Sequence, residues 1–251
     1  MSYYDIFLQK SHPHWLKKLF IRYNRNILSN LICLFPEEKK INLLEIGPGK
    51  GYFYQVCKKQ EKKITYSAVD RNSSILKNLQ IKRAYQSIAP RLPRFDRKFD
   101  IIYAACLIEH LKNGEELFEL IANCRKNLST GGKIVFLAPN AQACKMEFWN
   151  MDYTHAFPTT KMNVAMAFYD NNFKLVSVTD YTDIAIFLTA KSSNWPLISR
   201  IVRFIFLFYD YKIFSAVFSF LNKKPSFSPE NWFYRLYNFT KIQNLMFFAG
   251  V

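Results

Sequence analysis

The stretch Leu43-Leu44-Glu45-Ile46-Gly47-Pro48-Gly49-Lys50-Gly51 joins an apolar run to a glycine-rich turn. The apolar run begins at Ile41 and indicates a buried strand, and the pattern becomes helical from Tyr52. Glycines permit a tight turn whose backbone can come close to a ligand. Strand, glycine loop and helix form the opening of a nucleotide-binding α/β unit, whose ligands bind beyond the carboxyl ends of the strands.

Two acidic residues restrict what this loop can bind. The loop departs from the dinucleotide spacing G-x-G-x-x-G and lacks the G-K-[ST] of a phosphate-cradling loop. Glu45 would repel a pyrophosphate and favours a cationic or amine group. Asp70 ends the next apolar strand, about 20 residues after the loop, where a carboxylate can accept both ribose hydroxyls. The residues therefore predict an adenosine with a charged, phosphate-free tail.

Four ordered segments resemble the motifs of class I S-adenosylmethionine-dependent methyltransferases. They are Glu45 to Gly51, Val69-Asp70, Phe99 to Leu111 and Leu128 to Asn140. The resemblance implies an α/β, Rossmann-like three-layer sandwich with a seven-stranded, mostly parallel sheet and an antiparallel last strand. It also implies S-adenosyl-L-methionine as the cofactor. No metal-binding residues are predicted.

The resemblance implies cofactor contacts at ten positions, namely Glu45, Gly47, Pro48, Gly49, Gly51, Asp70, Arg71, Ser87, Ala105 and Cys106. The loop after the third strand lacks the acidic residue that many relatives carry near the adenine, so Ser87 or Gln86 is expected to bond there instead. Ala105 and Cys106 are expected to contact the methionine part through their backbone. The Cys106 side chain is interpreted as a small packing group rather than a nucleophile.

The loop from Phe148 to Pro158 is polar and aromatic, and the family builds its acceptor sites in this region. It resembles the D-Y-T-H loop of bacterial methyltransferases in surface-polysaccharide and related glycan pathways. His155 is the candidate catalytic base, since imidazole has a pKa suited to deprotonating a hydroxyl. Asp152 is the second catalytic candidate and would orient it. The alternative is that both residues form a hydrogen-bonded loop clasp.

Other side chains of this region have expected roles as well. Trp149 and Tyr153 could stack on a sugar ring. Among the remaining histidines, His110 is expected to shape the cofactor floor, and His12 and His14 are expected to face solvent.

Alternating apolar runs and helical patterns divide the chain into elements. Strands are predicted near 41–46, 64–69, 82–86, 99–105, 132–138, 173–178 with 184–188, and 244–251. The clearest helix runs from Asn113 to Leu128 before a Gly-Gly stop, and another is predicted from Thr160 to Tyr169. We predict a helical cap at 1–38, the cofactor-binding domain at 39–190 with 240–251, and an aromatic, basic insertion at 191–239.

The formal charge of +16 predicts anionic partners. Nucleic acid is disfavoured because no RNA-binding module is recognisable. Two segments, Pro13 to Phe35 and Pro196 to Asn222, combine apolar and basic residues, which suits an interfacial helix on an anionic membrane surface. Packing within the domain or a homodimer contact is the alternative. The five cysteines form neither a disulfide framework nor a zinc pattern, and with no signal peptide the expected location is cytoplasmic, with peripheral contact to the membrane.

The leading hypothesis is O-methylation of a sugar hydroxyl of a nucleotide- or lipid-linked glycan. One alternative is a methyltransferase acting on a small lipid, quinone or amine. The other is a membrane-associated protein that binds the cofactor without catalysis.

Overall fold

The computed structural model describes His12 and residues 14–146, 148–149, 152–182 and 243–250. Within these residues, the strands are β1 (Ile41–Ile46), β2 (Ile64–Asp70), β3 (Ala84–Gln86), β4 (Phe99–Ala105), β5 (Leu128–Pro139), β6 (Lys174–Thr182) and β7 (Gln243–Gly250). They form one seven-stranded sheet in the order β3-β2-β1-β4-β5-β7-β6.

The sheet is parallel from β3 through β5. β1 pairs in register with β2 on one side and β4 on the other, and β5 pairs with β4. β7 runs antiparallel to both of its neighbours, β5 and β6. The inner strands β1 and β4 are buried along almost their whole length because both faces of the sheet are covered. The predicted fold class is confirmed.

The helices are α1 (His14–Ile32), α2 (Tyr52–Lys58), α3 (Ser73–Asn78), α4 (Gly114–Asn127), α5 (Ala141–Cys144) and α6 (Lys161–Asp170), and a 3-10 turn covers Ile108–His110. Several of these helices begin directly after a residue whose side chain accepts a hydrogen bond from the backbone of the first turn. The Asn113 side chain accepts from the Glu116 backbone, and Thr160 forms a reciprocal capping box with Asn163. These caps explain why α4 and α6 begin close to where the sequence predicts.

Some boundaries differ from the prediction. β5 begins at Leu128 rather than 132, because the backbone passes directly from α4 into a pairing with Phe99 before a register shift. The Gly-Gly pair therefore lies inside the strand instead of ending the helix. β3 is limited to three residues, and β6 continues to Thr182. The predicted segments 184–188 and 196–222 lie outside the described residues.

Each face of the sheet packs against helices. On one face, α1 buries Tyr23, Ile27, Leu28 and Leu31 in the same cluster as strand residues of β1 and β2. On the other, α4 and α6 pack in a second cluster over β4, β5 and β7. The buried face of α1 therefore packs against the sheet of its own domain, which is the packing alternative for this segment. Among the described residues, no helix has both the length and the apolar character that crossing a membrane requires.

Asp100, at the amino end of β4, is held by three neighbouring hydrogen-bond donors. The Asp100 carboxylate lies 2.7 Å from Lys39 Nζ and accepts from the Asn42 backbone at 2.9 Å and the Ser129 hydroxyl at 2.8 Å. Burial opposes its ionisation, yet these donors outweigh that effect and lower the pKa of Asp100. Its charge is therefore satisfied locally, in contrast to the acidic residues at the opposite, carboxyl end of the sheet.

Candidate functional site

The glycine loop lies between the carboxyl ends of β1 and β2. The Gly47 backbone donates to the Val69 carbonyl at 2.8 Å. Gly47, Gly49 and Gly51 all have positive φ, at 77°, 50° and 71°. A Cβ on Gly51 would lie 2.4 Å from a Leu79 methyl, whereas one on Gly49 would meet nothing within 4 Å. Gly51 is thus needed for helix packing, and Gly49 leaves an open side at which a ligand can approach.

Glu45 is buried at the end of β1. Its carboxylate accepts a hydrogen bond from the Tyr66 hydroxyl on β2. Burial raises the pKa of Glu45 to about 8, against the effect of the Tyr66 bond and with a smaller contribution from the nearby charge of Asp70. A positively charged ligand at this position would favour the ionised carboxylate.

Asp70 occupies the equivalent position on the next strand. It is largely buried and accepts from the Asn72 backbone at 2.8 Å. Burial raises its pKa, although this bond and Arg71 act in the opposite direction. Glu45 and Asp70 therefore place two desolvated carboxylates at adjacent strand ends, as the sequence predicts, while the Arg71 side chain is exposed beside them.

The loop expected to contact the adenine is tied to its own backbone. The Ser87 hydroxyl donates to the Arg91 carbonyl at 2.8 Å, and the Gln86 amide donates to the Arg71 carbonyl at 3.2 Å. The Ser87 hydrogen is thus already used. Its oxygen still has lone pairs with which to accept a hydrogen bond.

Ala105 and Cys106 lie at the carboxyl end of β4. The Cys106 backbone donates to the Leu137 carbonyl at 2.8 Å, and its φ is 51°. The Cys106 side chain is exposed, so its interpretation as a small packing group is wrong. The left-handed backbone turns the chain after the strand and presents this thiol at the surface of the site.

The Asp152 carboxylate is not bonded to the His155 ring as predicted; the two residues are joined by the His155 backbone, which donates to the Asp152 carbonyl at 3.1 Å. The carboxylate accepts from the Thr154 backbone at 2.9 Å and from the Thr154 hydroxyl at 2.7 Å. The same hydroxyl lies 2.8 Å from His110 Nδ1. Asp152 therefore acts through Thr154 on His110, a histidine that the sequence assigns only to the cofactor floor.

His155 is buried and is held by a backbone carbonyl. Its Nδ1 lies 2.5 Å from the Phe148 oxygen, and its ring meets the His110 ring edge-to-face at 5.0 Å between centroids. A carbonyl can only accept, and the Thr154 hydroxyl has given its hydrogen to Asp152. In its neutral form each histidine therefore carries hydrogen on Nδ1 and has its lone pair on Nε2.

Glu109 completes this group of side chains. It is 1% exposed, and its Oε2 has no hydrogen-bond partner. Burial raises its pKa to about 8. Its backbone carbonyl accepts from the Ala156 and Phe157 backbones, both at 3.0 Å, which fixes the acceptor loop against the 3-10 turn. Sequence reasoning missed Glu109 as a site residue, because only this fold-back brings His155 to it.

The start of α2, directly after the glycine loop, is contacted by His12 of the amino-terminal segment. His12 stacks with Phe20 at 5.1 Å, and its Nδ1 lies 2.9 Å from the Tyr52 hydroxyl, at the start of α2. The expectation that His12 faces solvent is therefore wrong. His14 is exposed as expected.

Comparisons with known proteins agree with this geometry. Residues 17–178 match the protein family described as a methyltransferase domain. None of the curated proteins compared with the sequence matches it.

Solved structures with the same fold include three methyltransferases. A SAM dependent methyltransferase from Archaeoglobus fulgidus is 20% identical, with 100% of both chains covered and a TM-score of 0.58. An S-adenosylmethionine dependent methyltransferase from Mesorhizobium loti is 12% identical, with 90% of this chain and 98% of that chain covered and a TM-score of 0.56. The phosphoethanolamine N-methyltransferase 2 of Haemonchus contortus is 16% identical, with 91% and 52% covered and a TM-score of 0.57.

Proposed function

The chain belongs to the methyltransferase domain family, and on that premise we propose that it transfers a methyl group from S-adenosylmethionine to a sugar hydroxyl of a nucleotide- or lipid-linked glycan. Methyl transfer follows from the family, and S-adenosylmethionine is the expected cofactor. The hydroxyl acceptor and the glycan rest on the arrangement of side chains beyond β4 and on the acceptor loop.

The two buried carboxylates support the cofactor assignment. Asp70 lies at the second strand end, where it could accept the ribose hydroxyls. Glu45 lies beside the glycine loop, where a sulfonium or amine would find a partner of opposite charge. The open side at Gly49 leaves room for the cofactor to come close to the backbone.

The histidine pair carries the proposal of a hydroxyl acceptor. In their neutral forms His110 and His155 both have a lone pair on Nε2, since Nδ1 of each ring is bonded to a neighbouring oxygen. An amine can attack an activated methyl group without such help, whereas a hydroxyl gains from a group that takes or weakens its proton. A pair of oriented imidazoles is therefore expected where the acceptor is a hydroxyl, which is the less reactive of the two groups.

The acceptor loop also supports a sugar as the substrate class. Trp149 is 45% exposed and Tyr153 is 85% exposed, and both belong to the loop that holds His155. Exposed aromatic faces can pack on the apolar face of a sugar ring. The charge of +16 would attract the phosphate of a nucleotide or a lipid carrier.

The reaction would be a direct displacement. The acceptor oxygen attacks the methyl carbon, the carbon–sulfur bond breaks with its electron pair on sulfur, and S-adenosylhomocysteine is released. The hydroxyl proton passes to a base, which is His155 Nε2 if no metal ion is bound. In-line placement of the two substrates supplies much of the acceleration.

The test uses labelled S-adenosylmethionine and fractionated extract, followed by purified nucleotide- and lipid-linked glycans. We expect label in a sugar methyl ether. His155→Gln should lower turnover by about 100-fold or more while S-adenosylmethionine affinity is retained. The surface variant His14→Gln is the matched control and should behave as wild type. Label in an amine, a lipid or a quinone would overturn the acceptor class, and cofactor binding without any methyl release would overturn the enzyme assignment.

We further propose peripheral contact with an anionic membrane through 196–222, on the basis of its sequence alone. Vesicles containing anionic lipid should sediment the full chain but not a chain lacking this segment. Equal sedimentation of both proteins would contradict the membrane contact, and a change from dimer to monomer on deletion would favour the homodimer alternative.

A further inference from the structure

Three side chains from two distant parts of the sequence converge beyond β4. Glu109 and His110 belong to the 3-10 turn after that strand, and His155 belongs to the acceptor loop. One ligand atom of each lies within 4.8 Å of the others. A carboxylate and two imidazoles form a ligand set that proteins use for divalent transition metals.

The surrounding hydrogen bonds orient the two imidazoles as metal ligands. His110 Nδ1 is bonded to Thr154, which is held in turn by Asp152, and His155 Nδ1 is bonded to the Phe148 carbonyl. Metal-binding histidines usually donate their second ring N–H to a carbonyl or carboxylate, directly or through a polar group, which fixes the tautomer and the ring orientation. Here both Nε2 lone pairs remain for an ion.

Glu109 supplies an independent observation. It is 1% exposed and its Oε2 accepts no hydrogen bond. A buried carboxylate oxygen without a partner is costly, and native proteins generally satisfy such atoms. A cation held with His110 and His155 would supply that missing partner.

We propose that Glu109, His110 and His155 bind a divalent transition-metal ion that holds the acceptor hydroxyl during methyl transfer. The metal site stands on the convergence of the three side chains, and its catalytic role rests on the proposed function. Imidazole nitrogens favour zinc and other later first-row metals such as cobalt over manganese, magnesium or calcium. The ligand atoms of a tetrahedral zinc site lie about 3.4 Å apart, so binding requires the three side chains to move closer by at most about 1.4 Å.

With the ion in place, His155 is a ligand and not the base. The acceptor oxygen takes an open coordination position, and the metal lowers the pKa of its hydroxyl group so that the proton passes to solvent. The oxygen keeps the electron pair, forms the bond to the methyl carbon and displaces neutral S-adenosylhomocysteine. The metal neither gains nor loses an electron.

Metal binding is tested first without any substrate. Tag-free protein is titrated with Zn²⁺ by calorimetry and with Co²⁺ by visible absorption, alone and with S-adenosylmethionine. We expect one equivalent to bind, and we expect Glu109→Gln and His110→Ala each to weaken binding by at least about 10-fold. His14→Gln should bind as wild type, because this exposed histidine is not among the proposed ligands. Equal affinity in wild type, Glu109→Gln and His110→Ala would overturn the site.

A second measurement distinguishes a folding defect from the loss of a metal-binding side chain. The two ligand variants should retain S-adenosylmethionine affinity, because Glu45 and Asp70 lie at other strands. If one of these variants loses affinity for both the metal ion and S-adenosylmethionine, His155→Gln is measured in its place. Unchanged metal affinity in His155→Gln, together with intact cofactor binding, would also overturn the site.

The catalytic role is tested separately from the metal site. Chelator-treated enzyme should lose methyl transfer while keeping its affinity for S-adenosylmethionine, and added Zn²⁺ or Co²⁺ should restore the activity. Full activity after complete metal removal would overturn the catalytic role. Specific metal binding in a protein that methylates no hydroxyl would uphold the site and overturn the proposed function.

Discussion

The Tyr66 hydroxyl on β2 donates a hydrogen bond to the Glu45 carboxylate on β1. The bond crosses between adjacent parallel strands at the point where the sheet meets the glycine loop. It is the favourable contact that opposes the cost of burying this carboxylate. Tyr66 is therefore a positioning residue for the cofactor, although it lies outside the recognised motifs.

Replacing Tyr66 by Phe should weaken S-adenosylmethionine binding. A hydrogen bond to a charged group is worth about 1.5 kcal/mol, which corresponds to about a 10-fold rise in the dissociation constant. The loss of the donor should also leave Glu45 less ionised. Calorimetric titration at pH 7.5 measures the effect.

Tyr54→Phe is the matched control for that substitution. The Tyr54 ring packs 4.9 Å from the Tyr66 ring, but its hydroxyl points to the Gln80 carbonyl at 3.4 Å. It should bind the cofactor as wild type does. An equal loss of affinity in both variants would show that ring packing, and not the bond to Glu45, sets the affinity.

The raised pKa of Glu45 predicts how stability depends on pH. Between about 4.5, its ordinary pKa, and about 8, the folded protein keeps a proton on Glu45 that the unfolded chain has lost. Stability of the cofactor-free protein should therefore decrease as pH rises across this window. Thermal denaturation at pH 5.5, 6.5, 7.5 and 8.5 tests the direction.

Glu45→Gln isolates this contribution from that of Glu109, whose pKa is raised in the same direction. The amide is neutral at every pH, so the variant should be more stable than wild type at pH 8.5 and nearly equal at pH 5.5. It should also bind S-adenosylmethionine less tightly. A constant difference between the two proteins at all four pH values would contradict the assignment.

Two glycines of the same loop should respond differently to Ala. Both have positive φ, and an L-residue in this region costs about 1 kcal/mol. Gly51→Ala adds a clash with Leu79, so urea unfolding should show a further loss of about 1–3 kcal/mol. Gly49→Ala should show the backbone cost alone.

Cofactor affinity should be affected more by the change at Gly49 than by the change at Gly51, which is the opposite of the order expected for stability. The methyl group of Gly49→Ala projects into the space left open for a ligand, so the folded variant should bind S-adenosylmethionine at least about 10-fold more weakly. If Gly49→Ala binds as wild type does, the cofactor does not approach the loop from this side.

The cofactor end of the fold was predictable because it depends on local patterns. Apolar strands, a glycine turn and terminal acidic residues are contiguous in the sequence, and the structure places Glu45 and Asp70 at adjacent strand ends. The boundaries of β5 were less predictable, since its first residues pair with Phe99 only in the folded sheet.

The acceptor side depends on contacts between distant segments. The sequence places Asp152 near His155, but the loop turns so that Asp152 holds Thr154 and, through it, His110. Glu109 meets His155 because its carbonyl binds the backbone of Ala156. No spacing rule connects these positions, so the cluster was visible only in three dimensions.

The insertion of β7 between β5 and β6 has a consequence for synthesis of the protein. Leu245 and Phe247 of β7 are fully buried, yet they follow β6 by more than sixty residues. During translation, the edges of β5 and β6 that pair with β7 stay unpaired until this strand has been synthesised. Exposed strand edges of this kind promote aggregation. A nascent chain stopped before residue 243 would contain every candidate site residue but would lack the strand that joins the two parts of its sheet.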